Sequence, residues 1–183
     1  MKLYIASLAD YNDGRLYGQW FDLDAYDDVD ELRDAVEAML SGSPYLASLG
    51  LSAEEIAKHG ASNWTEYAVH DMEDCPDFLR SEYTPLSQFF EFRDLVDDCG
   101  EDEEAVEAYI DLVGDLDNAT ARDFADKFVG KYDSEEDFVM SLADDGVIEI
   151  PSHLYGYIDW EALARDYFIN DYTMISGYVF YAH

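Results

Sequence analysis

Positive charge is what this sequence has least of. Ten Lys and Arg stand against 43 Asp and Glu in 183 residues, a formal net charge of −33 at pH 7. Such a chain is repelled by nucleic acid and by anionic membrane surfaces, and attracted to a basic groove on another protein. Cysteine is scarce as well. Cys75 and Cys99 lie too far apart for a C-x-x-C redox or zinc motif, so they read as reduced thiols in a reducing compartment. No apolar stretch approaches the ~20 residues of a membrane span. The opening MKLYIASLAD turns polar too early for a signal peptide, so the expected location is the cytoplasm.

Signatures of catalysis are missing too. There is no G-x-G-x-x-G, P-loop, G-x-S-x-G or H-E-x-x-H. With 43 acids, two neighbouring carboxylates carry little information. Most fall on polar faces, without the shelter that tunes a catalytic carboxyl. His70 stands near Glu66, Asp71, Glu73 and Cys75, but this segment reads as a strand, which separates groups that a helix would gather. DLDAYDDVDELR resembles a calcium loop only in part. Asp27 replaces its glycine and Arg33 its bidentate Glu. No catalytic residue, cofactor or metal is therefore assigned, and an enzyme is not expected.

What is present argues for a folded chain. Hydrophobic residues make up 49% and aromatics 15%, whereas disordered acidic chains are poor in aromatics. LYIASLADYNDGRLYGQWFDL reads as two strands joined by a turn at Asn12, Asp13 and Gly14. VDELRDAVEAML places Val29, Leu32, Val36, Met39 and Leu40 on one helical stripe, capped by Asp28 or Asp30. LSAEEIAKHG reads as a short helix with Ser52 and Glu55 as a capping box. NWTEYAVHDME reads as a strand returning to the first sheet. Thr84-Pro85 opens a helix bearing Leu86, Phe89, Phe90, Leu95 and Val96. A second helix lies within 100–117, and a third runs through Ala121, Phe124, Ala125 and Phe128. SEEDFVMSLADDG reads as a helix capped by Ser134, VIEIP as a short strand, DWEALARDYF as a helix capped by Asp159, and TMISGYVFYAH as a C-terminal strand.

The expected fold class is α+β, elongated, in three small domains: an α/β N-terminal domain (1–83), an acidic helical central domain (84–125) and an α/β C-terminal domain (126–183). Their net charges are −13, −11 and −9. Every segment carries the charge, and the helical one most densely.

GEDEEAVEAYIDLVGDLD, residues 100–117, holds eight acids and no base, yet Val106, Tyr109, Ile110 and Val113 fall at helical spacing before Gly114. Glu103, Glu107 and Asp111 form a column of like charges that costs a few tenths of a kcal/mol per pair. A rule broken this openly points to function. Duplex DNA carries one negative charge per ~1.7 Å of axis, so 33 charges match about 56 Å of duplex. Carboxylates four residues apart on a helix rise ~6 Å, the order of successive phosphates on one strand. The candidate DNA-mimic surface is Asp27, Asp28, Glu31, Asp34, Asp94, Asp97, Asp98, Glu101, Glu103, Glu104, Glu107, Asp111, Asp115, Asp117, Glu135, Glu136, Asp144 and Asp145. Charge alone leaves three readings open: a DNA mimic, an acidic chaperone or binding module for basic proteins, and a halophilic domain.

Three motifs add a resemblance. LYIASLADYNDGRLYGQWFD at 3–22, EYAVHDME at 66–73 and YIDWEALARD at 157–166 resemble, in order and approximate spacing, stretches of the ArdA antirestriction proteins of plasmids, conjugative transposons and phages. The resemblance covers essentially the whole chain; residues 84–130 match only in acidic, helical character. Trp160 stands where the family usually has Tyr, Tyr167 where Leu is common, and the 41–63 segment looks longer than in short members. The resemblance implies an elongated three-domain DNA mimic that dimerises through its C-terminal domain. It also implies occupation of the DNA-binding cleft in the methyltransferase core of type I restriction–modification enzymes, blocking restriction and often methylation, with no direct nucleic acid binding. The antirestriction motif becomes Tyr157, Ile158, Asp159, Trp160, Glu161, Ala162, Leu163, Ala164, Arg165 and Asp166. At helical spacing Leu163, Ala164 and Tyr167 read as core.

Overall fold

The computed structural model describes residues 1–50 and 66–183; the helix expected at 51–60 lies outside them. Helix and strand are mixed along the chain, an α+β protein, and two compact units form, Met1–Glu91 and Phe92–His183. Among the described residues no helix is long and apolar enough to cross a membrane.

The first unit is built on an antiparallel sheet of β1 (Lys2–Ser7), β2 (Gly18–Asp22) and β3 (Tyr67–Glu73), with β1 in the centre. Alternation sets its faces. Leu3, Ile5, Phe21 and Val69 share the buried face by register. Helix α2 (Val29–Ser41) packs on β2 and buries Leu32, Val36, Met39 and Leu40. Its cap is Asp28, whose carboxylate accepts from the Asp30 and Glu31 N–H groups at 2.9 and 3.0 Å. Gly18 opens β2 because a Cβ there would collide with the Ile5 carbonyl oxygen.

The link between β1 and β2 is not the hairpin turn expected. A short helix, α1 (Leu8–Asn12), intervenes. Ser7 caps it, accepting from the Asp10 N–H at 3.2 Å and donating to the Asp10 carboxylate at 2.8 Å. Gly14, at φ +81°, then turns the chain back. The reason is Asp10, which is fully buried. It also accepts from the Ser43 hydroxyl and, at 2.9 Å, from the Tyr45 N–H. Ser43 caps helix α3 (Pro44–Ser48), so a single carboxylate ties α1 to α3.

Helix α4 (Leu86–Cys99) contains the boundary between the units. In the second unit α5 (Glu103–Val113) buries Ala105, Val106, Ala108, Tyr109 and Ile110 and stops at Gly114, φ +96°. Buried Tyr109 donates to Asp123 at 2.9 Å and accepts from the Thr120 N–H at 3.3 Å, fastening α5 to the start of α6 (Ala121–Lys127). The helix expected through Phe128 ends at Lys127, and β4 (Phe128–Lys131) begins there. Phe128 stacks on Phe124 at 4.8 Å and pairs in register with Phe180.

Helices α7 (Glu135–Asp144) and α8 (Trp160–Asn170) pack on each other, and β5 (Tyr172–Ile175) and β6 (Tyr178–Tyr181) complete a sheet ordered β4-β6-β5. Phe138, Val139, Ala164 and Val179 form the centre of their core. Two expectations fail here for physical reasons. VIEIP is not a strand: the Val147 and Ile148 N–H groups donate to the Leu142 carbonyl at 2.9 and 3.1 Å, closing the end of α7 instead of joining a sheet. The C-terminal segment is two strands, not one. Ser176 and Gly177 take φ +52° and +85°, the paired positive angles of a tight hairpin.

Candidate acidic interaction surface

Of the eighteen acids singled out by sequence, seventeen are exposed and Glu107 is half-buried. Their positions on the helices divide them into two groups. Some stand where a helix welcomes negative charge. Asp28 caps α2 and Glu31 lies in its first turn, with its carboxylate accepting from the Asp27 N–H at 3.0 Å. Glu103 and Glu104 open α5, and Glu135 and Glu136 open α7 behind the Ser134 cap. Asp115 caps the short 3-10 turn that holds Asp117, accepting from the Asn118 N–H at 2.9 Å. The positive end of the helix dipole offsets part of their mutual repulsion.

The others oppose the dipole. Asp97 and Asp98 occupy the last turn of α4, Asp111 that of α5 and Asp144 that of α7, with Asp145 as its C-cap. None of these three last turns, nor those of α2 and α8, holds a base. The remaining acids are Asp27 just before the Asp28 cap, Asp34 within α2, Asp94 on α4, Glu101 in the loop before α5 and Glu107 in the middle of α5.

The bases are arranged to leave this charge standing. Among the described residues seven ion pairs form, each taking a different Lys or Arg: Arg15–Asp13, Arg33–Asp30, Arg80–Asp77, Arg93–Asp94, Lys127–Asp123, Lys131–Glu104 and Arg165–Glu161. Six lie within four residues of their acid, so each cation is absorbed locally. The seventh brings a base to the 100–117 stretch from outside it. Lys131 reaches from β4 to Glu104 at 3.1 Å and to the Tyr178 hydroxyl at 3.0 Å, and lies over the Tyr178 ring. The hydrogen bonds from Lys131 and Tyr178 hold Glu104 below its ordinary carboxyl value, and those with Tyr178 and Glu104 push the Lys131 ammonium up. Beside this pair Asp102, Glu103, Glu104 and Glu107 line an open depression.

The field of the acids reaches Cys99. Burial first, then the charges of Asp98 and Glu101, push its thiol up to about 11 from 9.0. Two pH units mean about 100-fold less thiolate. The higher-pKa thiolate is the stronger nucleophile, which returns part of that factor, so Cys99 should react with iodoacetamide at pH 8 about 10-fold more slowly in the folded protein than in urea. Asp98→Asn should recover part of that rate; an unchanged rate in Asp98→Asn would show that this acid does not act on the thiol.

The 157–166 motif is mostly framework. Asp159 caps α8, accepting from the Ala162 N–H at 3.0 Å. Trp160 meets Tyr155 at 4.9 Å and packs with Leu163 and Tyr167 against the core that contains Ala164. Ile158 and Ala162 are half-buried, Glu161 pairs with Arg165 at 3.9 Å, and Tyr157, Arg165 and Asp166 are exposed. Tyr157 is 86% exposed, which makes it the motif's outward feature. His70 stands on β3 with its ring edge-to-face with Tyr11 at 5.0 Å.

Asp10 is not legible in the sequence, because it stands in the strand reading just before the expected turn at Asn12 and its partner Ser43 is 33 residues away. Burial pushes its carboxyl up, but the hydrogen bonds of Ser43, Ser7 and the Tyr45 N–H, with the Arg15 charge, hold it below 3.8.

No curated protein matches the sequence. A family model described as antirestriction protein (ArdA) matches residues 3–180 of the 183. An acidic surface with most of its described bases held in ion pairs, on a chain matched almost end to end, leads to one conclusion: this protein belongs to the ArdA antirestriction family.

Proposed function

We propose that this protein is a non-enzymatic antirestriction inhibitor that imitates duplex DNA and occupies the DNA-binding cleft of type I restriction–modification enzymes. The observation that carries the reading is the exposure of seventeen of the eighteen acids while seven bases are held in ion pairs. A basic cleft meets carboxylates with few competing cations, and collective attraction draws the protein in. The reading includes three domains in an elongated arrangement, the charge-dense helical one at 84–125, and a cytoplasmic homodimer joined through the C-terminal domain near exposed Tyr157. Blocking of methylation belongs to the same reading, because restriction and methylation use one DNA cleft.

The test is a competition assay with a type I enzyme and labelled duplex. The protein should displace the DNA at equilibrium, and its affinity should fall steeply as salt rises. Inhibition of cleavage with the labelled duplex still bound would sink the competitive mechanism. Equal affinity for histone-like or ribosomal proteins would favour an acidic chaperone instead.

A further inference from the structure

The solvent face of the N-terminal sheet carries a row that the acidic helices do not explain. Register places Trp20 of β2, Tyr4 of β1 and Asp71 of β3 side by side on the face opposite Leu3 and Ile5. Trp20 and Tyr4 meet edge-to-face, 5.5 Å between centroids at 61°. Trp20 is 42% exposed, unusual for the largest side chain, and Asp71 is exposed beside the pair. In the next row Lys2 stands between Asp22 and Glu73 by register. None of the seven ion pairs involves Asp22, Asp71 or Glu73. Within this acidic chain Lys131 lies over Tyr178, while neither ring of the Trp20–Tyr4 pair carries a cation among the described residues.

We propose that this row is an arginine-binding site, by which the first unit engages an arginine side chain displayed on a basic partner protein. Strands spaced ~4.8 Å apart put Trp20 and Asp71 about 10 Å apart across Tyr4. A guanidinium lying over Tyr4 is then within the ~6 Å that cation–π attraction requires. Its planar fork can also reach the Asp71 carboxylate. Lysine fits less well, because its ammonium is a strongly hydrated point charge that neither stacks nor pairs in a fork. Duplex DNA offers nothing like this contact on a sugar–phosphate rail, so the site adds selection among basic surfaces to the bulk attraction. The proposal rests on the DNA-competitor reading only for the basic character of the partner.

The experiment contains no restriction enzyme, so its failure and the failure of that reading are distinguishable. Ten-residue oligoarginine and oligolysine peptides are titrated into the intact protein at 150 mM salt, and the Trp20 indole N–H resonance is followed. The expected result is an oligoarginine preference of about fivefold with a shift of the Trp20 resonance. That preference should vanish in Trp20→Ala and in Asp71→Asn, each checked for retained circular dichroism. Asp71→Asn changes only an exposed group, so the test stands even if Trp20→Ala unfolds. Equal affinity for the two peptides, or a preference that survives Asp71→Asn, overturns the proposal.

Discussion

Replacing Asp94, Asp97, Asp98, Glu101, Glu103, Asp111, Asp115 and Asp117 by their amides is expected to weaken competition for the restriction enzyme by about 10³-fold while the fold persists. All eight are exposed, on α4, on α5 or in the adjoining loops. An exposed charge pair contributes on average ~0.5 kcal/mol. Eight such losses come to about 4 kcal/mol, which is about three orders of magnitude in affinity. The fold should survive, and gain. Asp97, Asp98 and Asp111 oppose their helix dipoles, so amides there relieve repulsion of about 0.3–1 kcal/mol each. A single change such as Glu103→Gln should move affinity by less than about threefold. The two readouts are the half-displacement concentration of labelled duplex and the melting temperature. Loss of inhibition from one isolated substitution in a folded protein would mean that a discrete site operates, not a collective field.

Asp10→Ala should have the largest effect on stability. The substitution strands the Ser7 and Ser43 hydroxyls and the Tyr45 N–H, all of which point at a carboxylate with no access to water. Unsatisfied buried donors cost about 1–3 kcal/mol each, so a loss of about 3–5 kcal/mol is expected, lowering the melting temperature of the first unit by roughly 15 °C or more. The pH dependence has a definite sign. The folded carboxyl titrates below the 3.8 of the unfolded chain. Its contribution is therefore complete above 3.8 and fades as the pH falls through the lower folded value. Chemical denaturation of wild type and Asp10→Asn from pH 7 to pH 2.5 should show a gap that is constant at the upper end and narrows at the acid end. A gap independent of pH would mean that Asp10 acts by shape and not by charge. General relief of repulsion among the other acids is shared by both proteins and cancels in the difference.

Elements whose causes are local are legible in the sequence. Helix α2 follows from the spacing of Leu32, Val36, Met39 and Leu40 and a single cap, Asp28. The stop at Gly114 follows from its left-handed φ. The core positions in the 157–166 motif and just after it follow from helical spacing, and Leu163, Ala164 and Tyr167 do pack inward. The misreadings share a different cause. VIEIP has the composition of a strand, but its N–H groups are claimed by the Leu142 carbonyl. The C-terminal run is rich enough in β-branched and aromatic residues to mask the Ser176-Gly177 turn within it. Phe128 continues the apolar spacing of its helix, yet stacking on Phe124 and pairing with Phe180 draw it into a sheet.

By itself the sequence determined the sign and density of the surface charge, the α+β class and the family motifs, because charge is additive along a chain and periodicity is local. Tertiary structure alone decided which carboxylate is buried, which cation crosses from β4 to Glu104, and that Trp20, Tyr4 and Asp71 share a row. Each of those depends on residues far apart in the chain meeting through strand register or a cap, and no local pattern encodes the distance between them.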